Sequence, residues 1–412
     1  MINLIFLYDS RVCKCSIQDL KVHGCKVKLI VNQKFISQWT ETIIEQFDEV
    51  YIVKEMTYDE ILSVIESDIF HESPMESKLL SSDEGCIHVL SKVSKKLNIH
   101  GYDTSVAERF TDKIKMKDCL KGTNLLLPSY ELFDKDAIEK KKYLDAIEKR
   151  IPYPMFVKPI DLYGAAGAQK ILNRQELEYW QSGIIGNEIS YNIESFLDGY
   201  LFHVDSIITQ GEICHVSMGA YLHPVDLFPK GRMLGTMHLC PMSEHWDQLM
   251  IYNRDVILAM NPPDGVTHLE VFVNVNKDIY FLEIGVRPPG GLIIDMYEKS
   301  TGLNLEMIHF KANSGLPIGH LINEFREYHA WAYIPKMAGR VKSLVQPDLK
   351  SHWEIDWRVT EGEALGQQVT GDQDSVFSSN AIAGVLHYYH PSYNIIERDF
   401  QYLRDKALIT YG

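Results

Sequence analysis

The stretch YFLEIGVRPPGG, residues 280 to 291, ends an apolar run on Glu283 and places Arg287 four residues further along the chain. Residues 288–291 then interrupt the pattern, because proline has no N–H to donate to a neighbouring strand and glycine favours a turn. The carboxylate and the arginine are either ordinary residues of a solvated strand end or part of a site for a bound ion. The rest of the chain must discriminate between these two interpretations.

Residues 267–285, THLEVFVNVNKDIYFLEIG, predict a β-hairpin that carries this carboxylate. With a loop of two or four residues centred on Asn276-Lys277, Glu270 lies directly opposite Glu283, and their Cβ atoms are about 4.5–5.5 Å apart. Two carboxylates this close are destabilising unless a cation lies between them or one of them is protonated. Mg²⁺ is a hard cation that binds carboxylate oxygens. A three-residue loop would put the acids on opposite faces and remove this argument.

Arg287 reaches the same place only if the chain bends after Glu283. In an extended strand the two residues are about 13 Å apart, at about 3.3 Å per residue. Gly285 and the Pro-Pro-Gly-Gly stretch favour such a bend. The apolar residues around both acids indicate a half-buried pair, but on the hairpin alone both interpretations stay open.

The composition indicates a globular chain with no general affinity for nucleic acid. The chain has 412 residues, of which 45% are hydrophobic and 24% charged, and this length predicts two or three domains. The formal net charge of −15 disfavours a nucleic-acid partner, because phosphate backbones need a basic surface. No apolar run approaches the roughly 18 residues of a membrane span, and the N-terminal run is too short for a signal peptide. We therefore predict a cytoplasmic protein with no membrane partner.

The cysteines predict neither a disulfide framework nor a structural zinc site. There are seven of them, and the only close pair is Cys13-Lys14-Cys15. This pair lacks C-x-x-C spacing and a second pair, and an odd count argues against a disulfide scaffold. We expect reduced thiols.

The first hundred residues alternate between predicted strands and helices, which is typical of βαβ units on a parallel sheet. The strands predicted there are 2–8, 27–31 and 50–53, and the helices are 39–47, 59–67 and 84–98. Later we predict strands at 155–157, 189–193, 203–209, 330–335, 340–344 and 381–387 and helices at 134–150, 247–260 and 393–407, with further helices that begin at 111 and 292. Residues 219–235, rich in proline, glycine and histidine, predict a long loop.

Three segments have features of phosphate or nucleotide binding. Lys158 leaves the predicted strand 155–157 and can reach a phosphate as a point charge. The loop DLYGAAGA, residues 161–168, has small residues whose backbone N–H groups can approach phosphate oxygens, although a plain hairpin explains it about as well. It is neither a P-loop nor the dinucleotide-binding fingerprint. Residues 191–199, YNIESFLDG, predict a strand that enters a turn, where backbone groups could hydrogen-bond an adenine edge.

In this order the segments resemble the ATP-grasp superfamily and, within it, the carboxylate–amine ligases similar to L-amino acid ligases and carnosine synthase. The resemblance extends from about residue 80 to residue 320 and includes GYDTSVAERFTDKIKMKDCLKGTNLLLPSYELF, MFVKP, YGAAGA, IESFLDG, THLEV and FLEIGVR. It implies an α/β protein whose ATP-binding part is α+β. The implied domains are a parallel-sheet α/β domain at 1–100, an ATP-grasp domain at 101–324 with a mobile lobe at about 125–198, and a strand-rich C-terminal subdomain at 325–412.

The resemblance also implies a set of ATP-binding residues. They are Lys113 and Lys158 for the phosphates, Gly164 and Gly167 in the flexible loop over them, Glu194 beside the exocyclic amine, the backbones of Ser195 and Leu197 at the adenine edge, and His203 at the ribose.

The metal and catalytic residues follow from the same resemblance. Glu270 and Glu283 would bind one or two Mg²⁺ ions, for which Mn²⁺ can substitute. Arg287 would stabilise the negative charge that develops during transfer, and His238 would lie near an acyl phosphate. Many superfamily members have Glu-x-Asn-x-Arg, whereas Gly285 replaces the asparagine here. This departure puts tight binding of the second Mg²⁺ in doubt.

The implied reaction joins a carboxylate to an amine at the expense of ATP. ATP phosphorylates the carboxylate of an amino acid or a similar small acid, and an amine then attacks the acyl phosphate. We expect residues 219–235 to help form the substrate pocket, Arg232 or Arg287 to hold a substrate carboxylate, and Gly290 and Gly291 to lie at the substrate.

Two other functions stay open. The acceptor could be the thiol of a carrier protein, which would dock on a basic patch, and the lysine-rich stretches 113–121 and 140–149 are the candidates for it. The chain could also be a nucleotide-binding module without catalysis. The identity of the small-molecule substrates and the oligomeric state, including a homodimer, do not follow from the residues.

Overall fold

The computed structural model of the protein describes residues 2–69, 76–321, 325–366 and 379–412. Its strands, in chain order, are β1 (Ile2–Tyr8), β2 (Cys25–Asn32), β3 (Glu49–Val53), β4 (Ser77–Leu80), β5 (Tyr130–Leu132), β6 (Met155–Pro159), β7 (Gln169–Ile171), β8 (Tyr191–Ser195), β9 (Tyr200–Thr209), β10 (Glu212–Tyr221), β11 (Leu234–His238), β12 (Gly265–Val273), β13 (Ile279–Gly285), β14 (Tyr328–Pro335), β15 (Gly339–Leu344), β16 (His352–Trp357), β17 (Ala364–Leu365), β18 (Ile382–His390) and β19 (Ile409–Tyr411). Its α-helices are α1 (Gln18–Lys21), α2 (Glu41–Ile44), α3 (Tyr58–Val64), α4 (Ile87–Leu97), α5 (Thr104–Arg109), α6 (Lys113–Leu120), α7 (Lys140–Arg150), α8 (Arg174–Gly183), α9 (Trp246–Met260), α10 (Ile293–Thr301), α11 (Leu305–Asn313) and α12 (Tyr393–Arg404).

The N-terminal region contains a parallel sheet with the strand order β3-β2-β1-β4, which confirms the predicted parallel α/β arrangement. Strand β1 reads as a nearly continuous apolar run, as expected for a strand covered on both faces. The helix predicted at 39–47 is wrong over most of its length, because only Glu41–Ile44 is α-helical. Trp39 is extended, with ψ of 122°, and its ring packs in the core 5.1 Å from that of Tyr8.

The largest sheet has eight strands in the order β13-β12-β9-β10-β11-β14-β18-β16. Its neighbouring strands are antiparallel, and successive residues of β9 point to different cores, as Leu201 and Phe202 do. Helices α9 and α12 cover one face, and α10 and α11 cover the other. Strands β14, β18 and β16 belong to the region predicted as a C-terminal subdomain, and they continue the same sheet. The domain boundaries stay a prediction, and residues 322–324 lie outside the described residues.

A smaller antiparallel sheet, with the order β5-β8-β6-β7, lies within residues 125–198, where the mobile lobe is predicted. It has its own apolar core with α7 and α8, which includes Leu144, Ile147, Leu177 and Trp180. A third antiparallel group consists of β17, β15 and β19. None of the helices among the described residues combines the length and the apolar character that a membrane span requires.

The long loop predicted at 219–235 is wrong at both ends. Strand β10 continues to Tyr221, a 3₁₀ helix occupies Val225–Lys230, and β11 begins at Leu234. The glycine inside β11 has a packing role, because a Cβ at Gly235 would lie 2.0 Å from the backbone oxygen of Trp331 in β14. The prediction failed because Gly235, which permits the close pairing of β11 with β14, was interpreted as a sign of a loop.

Gly199 joins the small sheet to the large one and allows a close backbone contact. It has φ of 150°, and a Cβ there would lie 2.3 Å from the carbonyl oxygen of Val273. We expect Gly199→Ala to lower the free energy of unfolding by about 1–3 kcal/mol, because both the backbone angle and the contact would be strained. Gly183→Ala is the control, since a Cβ at Gly183 would meet no atom within 4 Å. Urea unfolding measures both, and equal stability of the two variants would contradict this account.

Candidate functional site

A cavity of about 470 Å³ is lined by residues of both the small sheet and the eight-stranded sheet. The predicted residues that line it are Lys113, Lys158, Gly164, Glu194, Leu197, Glu270, Glu283, Arg287, Gly290 and Gly291. The predicted residues that are not among its lining are Gly167, Ser195, His203, Arg232 and His238.

The two carboxylates predicted to face each other do so, although the predicted loop length is wrong. Glu270 pairs with Glu283, while the loop that joins β12 to β13 covers residues 274–278. An odd loop by itself would put the acids on opposite faces. The extra residue Leu282 forms a bulge in β13, which shifts the register by one and restores the pairing.

Glu270 is buried and held as an ionised carboxylate. It accepts a hydrogen bond of 2.5 Å from the Tyr221 hydroxyl, and His268 Nε2 lies 3.4 Å from its Oε1. Burial would raise the pKa of Glu270, but His268 and Tyr221 outweigh this effect and lower it. Glu283 is more exposed, and its Oε2 lies 3.9 Å from Lys113 Nζ. Two carboxylates that face one cavity can therefore supply oxygen ligands to a divalent cation.

Behind Glu270 lies a buried network that the sequence analysis missed. Asp205 accepts contacts of 2.7 Å from Nδ1 of both His203 and His268, and a hydrogen bond of 3.0 Å from the Tyr297 hydroxyl. Burial disfavours a charged His268, yet Asp205 and Glu270 raise its pKa to about 9. His203, predicted at the ribose, belongs to this network instead of the cavity lining. The sequence signal for this network was the alternation of polar residues in two apolar strands, with His203 and Asp205 in β9 and His268 and Glu270 in β12.

The end of the cavity at β6 and β8 is rich in lysine. Glu194 Oε1 lies 3.0 Å from Lys158 Nζ, and Glu194 Oε2 lies 2.9 Å from Lys117 Nζ. Asn192 donates a further hydrogen bond of 2.7 Å to Glu194. The Glu194 carboxylate is therefore a counter-ion to two lysines. This pairing engages the side chain that was predicted to meet an exocyclic amine. Lys113 donates to the carbonyl oxygen of Leu162 in the glycine-rich loop.

The pKa values of this lysine group follow from burial and pairing. Burial raises the pKa of Glu194, but Lys117 and Lys158 outweigh it and lower the pKa to about 2. Burial lowers the pKa of Lys117 to about 8, although Glu194 opposes the shift. Lys113, Lys117 and Lys158 outnumber Glu194 and Glu283, the two carboxylates that form ion pairs with them, which leaves a net positive potential for an incoming anion.

The segment between β8 and β9 offers fewer free backbone groups than predicted. The Ser195 N–H donates to Ser129 O at 2.8 Å, and the Phe196 N–H donates to Pro154 O at 2.9 Å. The Ser195 hydroxyl accepts a bond of 3.1 Å from the Ser129 N–H. The Ser195 N–H is thus not available to a ligand, whereas Leu197 lines the cavity as predicted.

The small-residue loop has left-handed backbone at Gly164, Ala165 and Gly167, with φ of 62°, 58° and 66°. Ala165 takes this conformation with a Cβ, which is uncommon outside glycine. The loop is also attached to the N-terminal region, because the Tyr163 hydroxyl lies 3.0 Å from the Ser10 hydroxyl.

The bend predicted after Glu283 occurs and brings Arg287 to the cavity. Arg287 Nε donates to Glu84 Oε2 at 2.7 Å. Burial lowers the pKa of the half-buried Arg287, but Glu84 outweighs this effect and raises it. A Cβ at Gly285 would lie 3.3 Å from Arg287 Cγ. An asparagine at that position, as many superfamily members have, would therefore crowd the Arg287 side chain. Glu84 was missed because it lies about 200 residues away in the chain.

The turn after Arg287 is held by two cations from the N-terminal region. Arg11 donates to Pro288 O at 3.3 Å and to Pro289 O at 3.1 Å. Lys14 Nζ donates to Gly291 O at 2.5 Å. Gly291 has φ of 58°, and a Cβ there would lie 2.8 Å from the Trp331 ring.

Two predicted residues are placed differently from their predicted roles. His238 is buried against the ring of Tyr297, with centroids 5.2 Å apart, and burial lowers its pKa to about 3. It is therefore neutral and lies outside the cavity lining. Arg232 has an exposed side chain, while Lys230 and Arg404 line the cavity instead. Of the two arginines predicted to hold a substrate carboxylate, only Arg287 lines the cavity.

Glu194 provides a test of the lysine arrangement. We expect Glu194→Gln to lower the free energy of unfolding by about 3–5 kcal/mol, because it leaves two buried lysines without their counter-ion. Glu212→Gln is the matched control, since Glu212 is an exposed acid at the start of β10. Chemical denaturation at neutral pH compares the two variants, and a loss no larger than that of the control would show that the pairing is unimportant.

No protein-family model matches the chain. It is 25% identical over 264 residues to an L-arginine-specific L-amino acid ligase of Bacillus subtilis, an alignment that covers 63% of this chain and 62% of that protein. It is also 24% identical over 194 residues to a D-alanine–D-alanine ligase of Bacillus cytotoxicus, which covers 43% of this chain and 51% of the relative. The alignments thus span less than two thirds of these relatives.

Two solved structures match the fold of this chain over all or nearly all of its length. The crystal structure of an L-amino acid ligase from Bacillus licheniformis has a TM-score of 0.71 at 19% identity and covers 100% of this chain and 99% of its own. An ADP complex of N5-carboxyaminoimidazole ribonucleotide synthetase has a TM-score of 0.66 at 13% identity and covers 98% and 96%. The predicted fold is confirmed, and these similarities indicate the ATP-grasp group of carboxylate–amine ligases.

Proposed function

We propose that this chain is an ATP-dependent ligase that joins the carboxylate of an amino acid, or of a similar small acid, to an amine. The observation that carries the proposal is the composition of one cavity. A lysine-rich end, two opposed carboxylates and Arg287 meet there. This set of charges suits a polyphosphate, a divalent cation and a reacting carboxyl group side by side.

The proposed reaction has two steps. A carboxylate oxygen of the substrate attacks the γ-phosphorus of ATP, and the bond to ADP breaks, which yields an acyl phosphate. The amine nitrogen then attacks the carbonyl carbon, the bond to phosphate breaks, and the nitrogen loses a proton to solvent. The protein needs no side-chain nucleophile, so its contribution is positioning and charge stabilisation.

The lysines and the arginine have separate parts in this proposal. Lys113 and Lys158 line the phosphate end, and Lys117 adds positive charge behind them. Arg287 faces the reacting centre and stabilises charge on the transferred group. Glu84 is a positioning residue, because it holds the Arg287 guanidinium through a bond of 2.7 Å.

The carboxylate pair fits a hard divalent cation. Glu270 and Glu283 would hold Mg²⁺ through their oxygens, and the lowered pKa of Glu270 keeps that ligand ionised. When bound, the ion supplies positive charge at the phosphates. Gly285 contributes no side-chain ligand, which favours one ion over two.

The structure bears on the alternative in which a carrier-protein thiol is the acceptor. Lys113 and Lys117, in the first of the two lysine-rich stretches, are buried, so they cannot form part of a docking patch. The stretch 140–149 and the exposed Lys115 and Lys121 stay as candidates. We favour an amine as acceptor.

We also propose a cytoplasmic location, and the seven free thiols support it. Light scattering of the purified protein would establish whether it is a homodimer.

An assay of ADP and phosphate release tests the proposed activity. With ATP, Mg²⁺ and pairs of amino acids, we expect release that depends on a carboxylate substrate, and a condensed product in mass spectra. Hydroxylamine in place of the amine should trap the acyl phosphate as a hydroxamate. ADP formation only with a thiol acceptor would overturn the amide assignment, and no release with any pair would favour a non-catalytic nucleotide-binding module.

Two variants connect the activity to the cavity. We expect Glu283→Gln and Arg287→Met each to lower kcat/KM by about a hundredfold or more, because each removes charge that acts during phosphoryl transfer. Glu212→Gln should keep the wild-type rate. If both cavity variants keep wild-type activity while remaining folded by circular dichroism, the reaction occurs elsewhere.

A further inference from the structure

A second cluster of ligand atoms lies outside the cavity, between the N-terminal sheet and α11. Cys13 and Cys15 follow β1, and Glu306 lies in the first turn of α11. One sulfur from each cysteine and one carboxylate oxygen all lie within 4.8 Å of one another. We propose that Cys13, Cys15 and Glu306 bind a thiophilic divalent cation such as Zn²⁺.

The spacing of the two sulfurs suits a tetrahedral ion. Cys13 Sγ and Cys15 Sγ are 3.5 Å apart. Zinc–sulfur bonds of about 2.3 Å at a tetrahedral angle put two sulfurs about 3.8 Å apart. The sulfurs therefore need to move by only a few tenths of an ångström to bind one ion.

The carboxylate of Glu306 is held in place by hydrogen bonds. Glu306 is fully buried and accepts hydrogen bonds from the Tyr8 hydroxyl at 3.1 Å, from the Ser82 hydroxyl at 2.5 Å and from the Lys14 N–H. Over the described ranges no lysine, arginine or histidine forms an ion pair with it. A buried carboxylate without a cation is costly, and an ion at the two sulfurs would compensate it.

The surroundings resemble the outer shell of a metal site. Ligating carboxylates are usually oriented by further hydrogen bonds, which Tyr8 and Ser82 supply here. Three protein ligands leave the fourth position of a tetrahedral ion to a water molecule. Two thiolates with one carboxylate select a borderline or soft cation over Mg²⁺. When the two sulfurs bind the ion, each thiol loses its proton to solvent.

The site would be linked to the cavity through the residue between the two cysteines. Lys14 donates from Nζ to Gly291 O at 2.5 Å and pairs with Asp295 in α10. Its carbonyl oxygen accepts a bond of 2.9 Å from Asn304. An ion that fixes Cys13 and Cys15 therefore also fixes Lys14 against the Gly290-Gly291 turn. Zinc was not predicted because the cysteine pair lacks C-x-x-C spacing and a second pair, while Glu306 lies 292 positions after Lys14 in the chain.

Cobalt is the probe, because thiolate-to-cobalt charge transfer identifies sulfur ligands. We expect the full-length protein, dialysed against EDTA, to bind one Co²⁺ with this absorption band and to lose the band when Zn²⁺ is added. Cys13→Ser and Cys15→Ser should abolish the band, and Tyr8→Phe should weaken binding about tenfold. Cys25→Ser is the matched control, since Cys25 is a buried thiol of the same sheet. Glu283→Gln should keep the band, which separates this site from the cavity.

A second measurement needs no variant. Zn²⁺ should protect Cys13 and Cys15, but not Cys119, from alkylation in the wild-type protein, as mapped by peptide mass spectrometry. The proposal is overturned if no charge-transfer band forms, if the band persists in Cys13→Ser, if Zn²⁺ gives no protection, or if the isolated protein contains a Cys13–Cys15 disulfide that blocks both probes.

Discussion

The constraint on which the site depends is the opposition of Glu270 and Glu283 on adjoining strands. Like charges at about 4.5–5.5 Å are costly in a half-buried cavity, so positive charge must be brought close to them. The structure does this from three directions, with His268 from the same strand, Lys113 from α6 and Arg287 from the bend. The sheet register, the bulge at Leu282 and the bend all maintain this arrangement.

Most cations of the site are themselves paired with a buried carboxylate. Glu194 holds two lysines, Glu84 holds Arg287, and Asp205 holds His268. Pairing keeps these groups ionised and in fixed positions without a ligand, at the cost of desolvating each pair. A site of this kind loses little energy to reorganisation when charge develops in it.

The sequence predicted the residues that act through a local pattern and missed the residues that act through a distant partner. The facing of Glu270 and Glu283 follows from strand alternation, and Lys158 follows from its place at a strand end. Glu84 carries no local signal, because its partner Arg287 lies in a distant segment. Asp205 has a local signal in the alternating polar residues of its strand, but its partner His268 lies in another strand. The hairpin shows a different limit of sequence-based prediction. The predicted loop length was wrong, but a bulge in β13, which no residue type in the sequence indicates, restored the predicted pairing.

The N-terminal region holds several residues that line the cavity. The loop after β1 contacts Tyr163 of the glycine-rich loop through Ser10, and it contacts the turn after Arg287 through Arg11 and Lys14. Glu84, which also precedes the cavity-lining segments, pairs with Arg287. Movement of the glycine-rich loop away from the N-terminal region must therefore break the Tyr163 contact. Because the cysteine pair lies in the same loop, whatever fixes that pair also fixes one wall of the cavity.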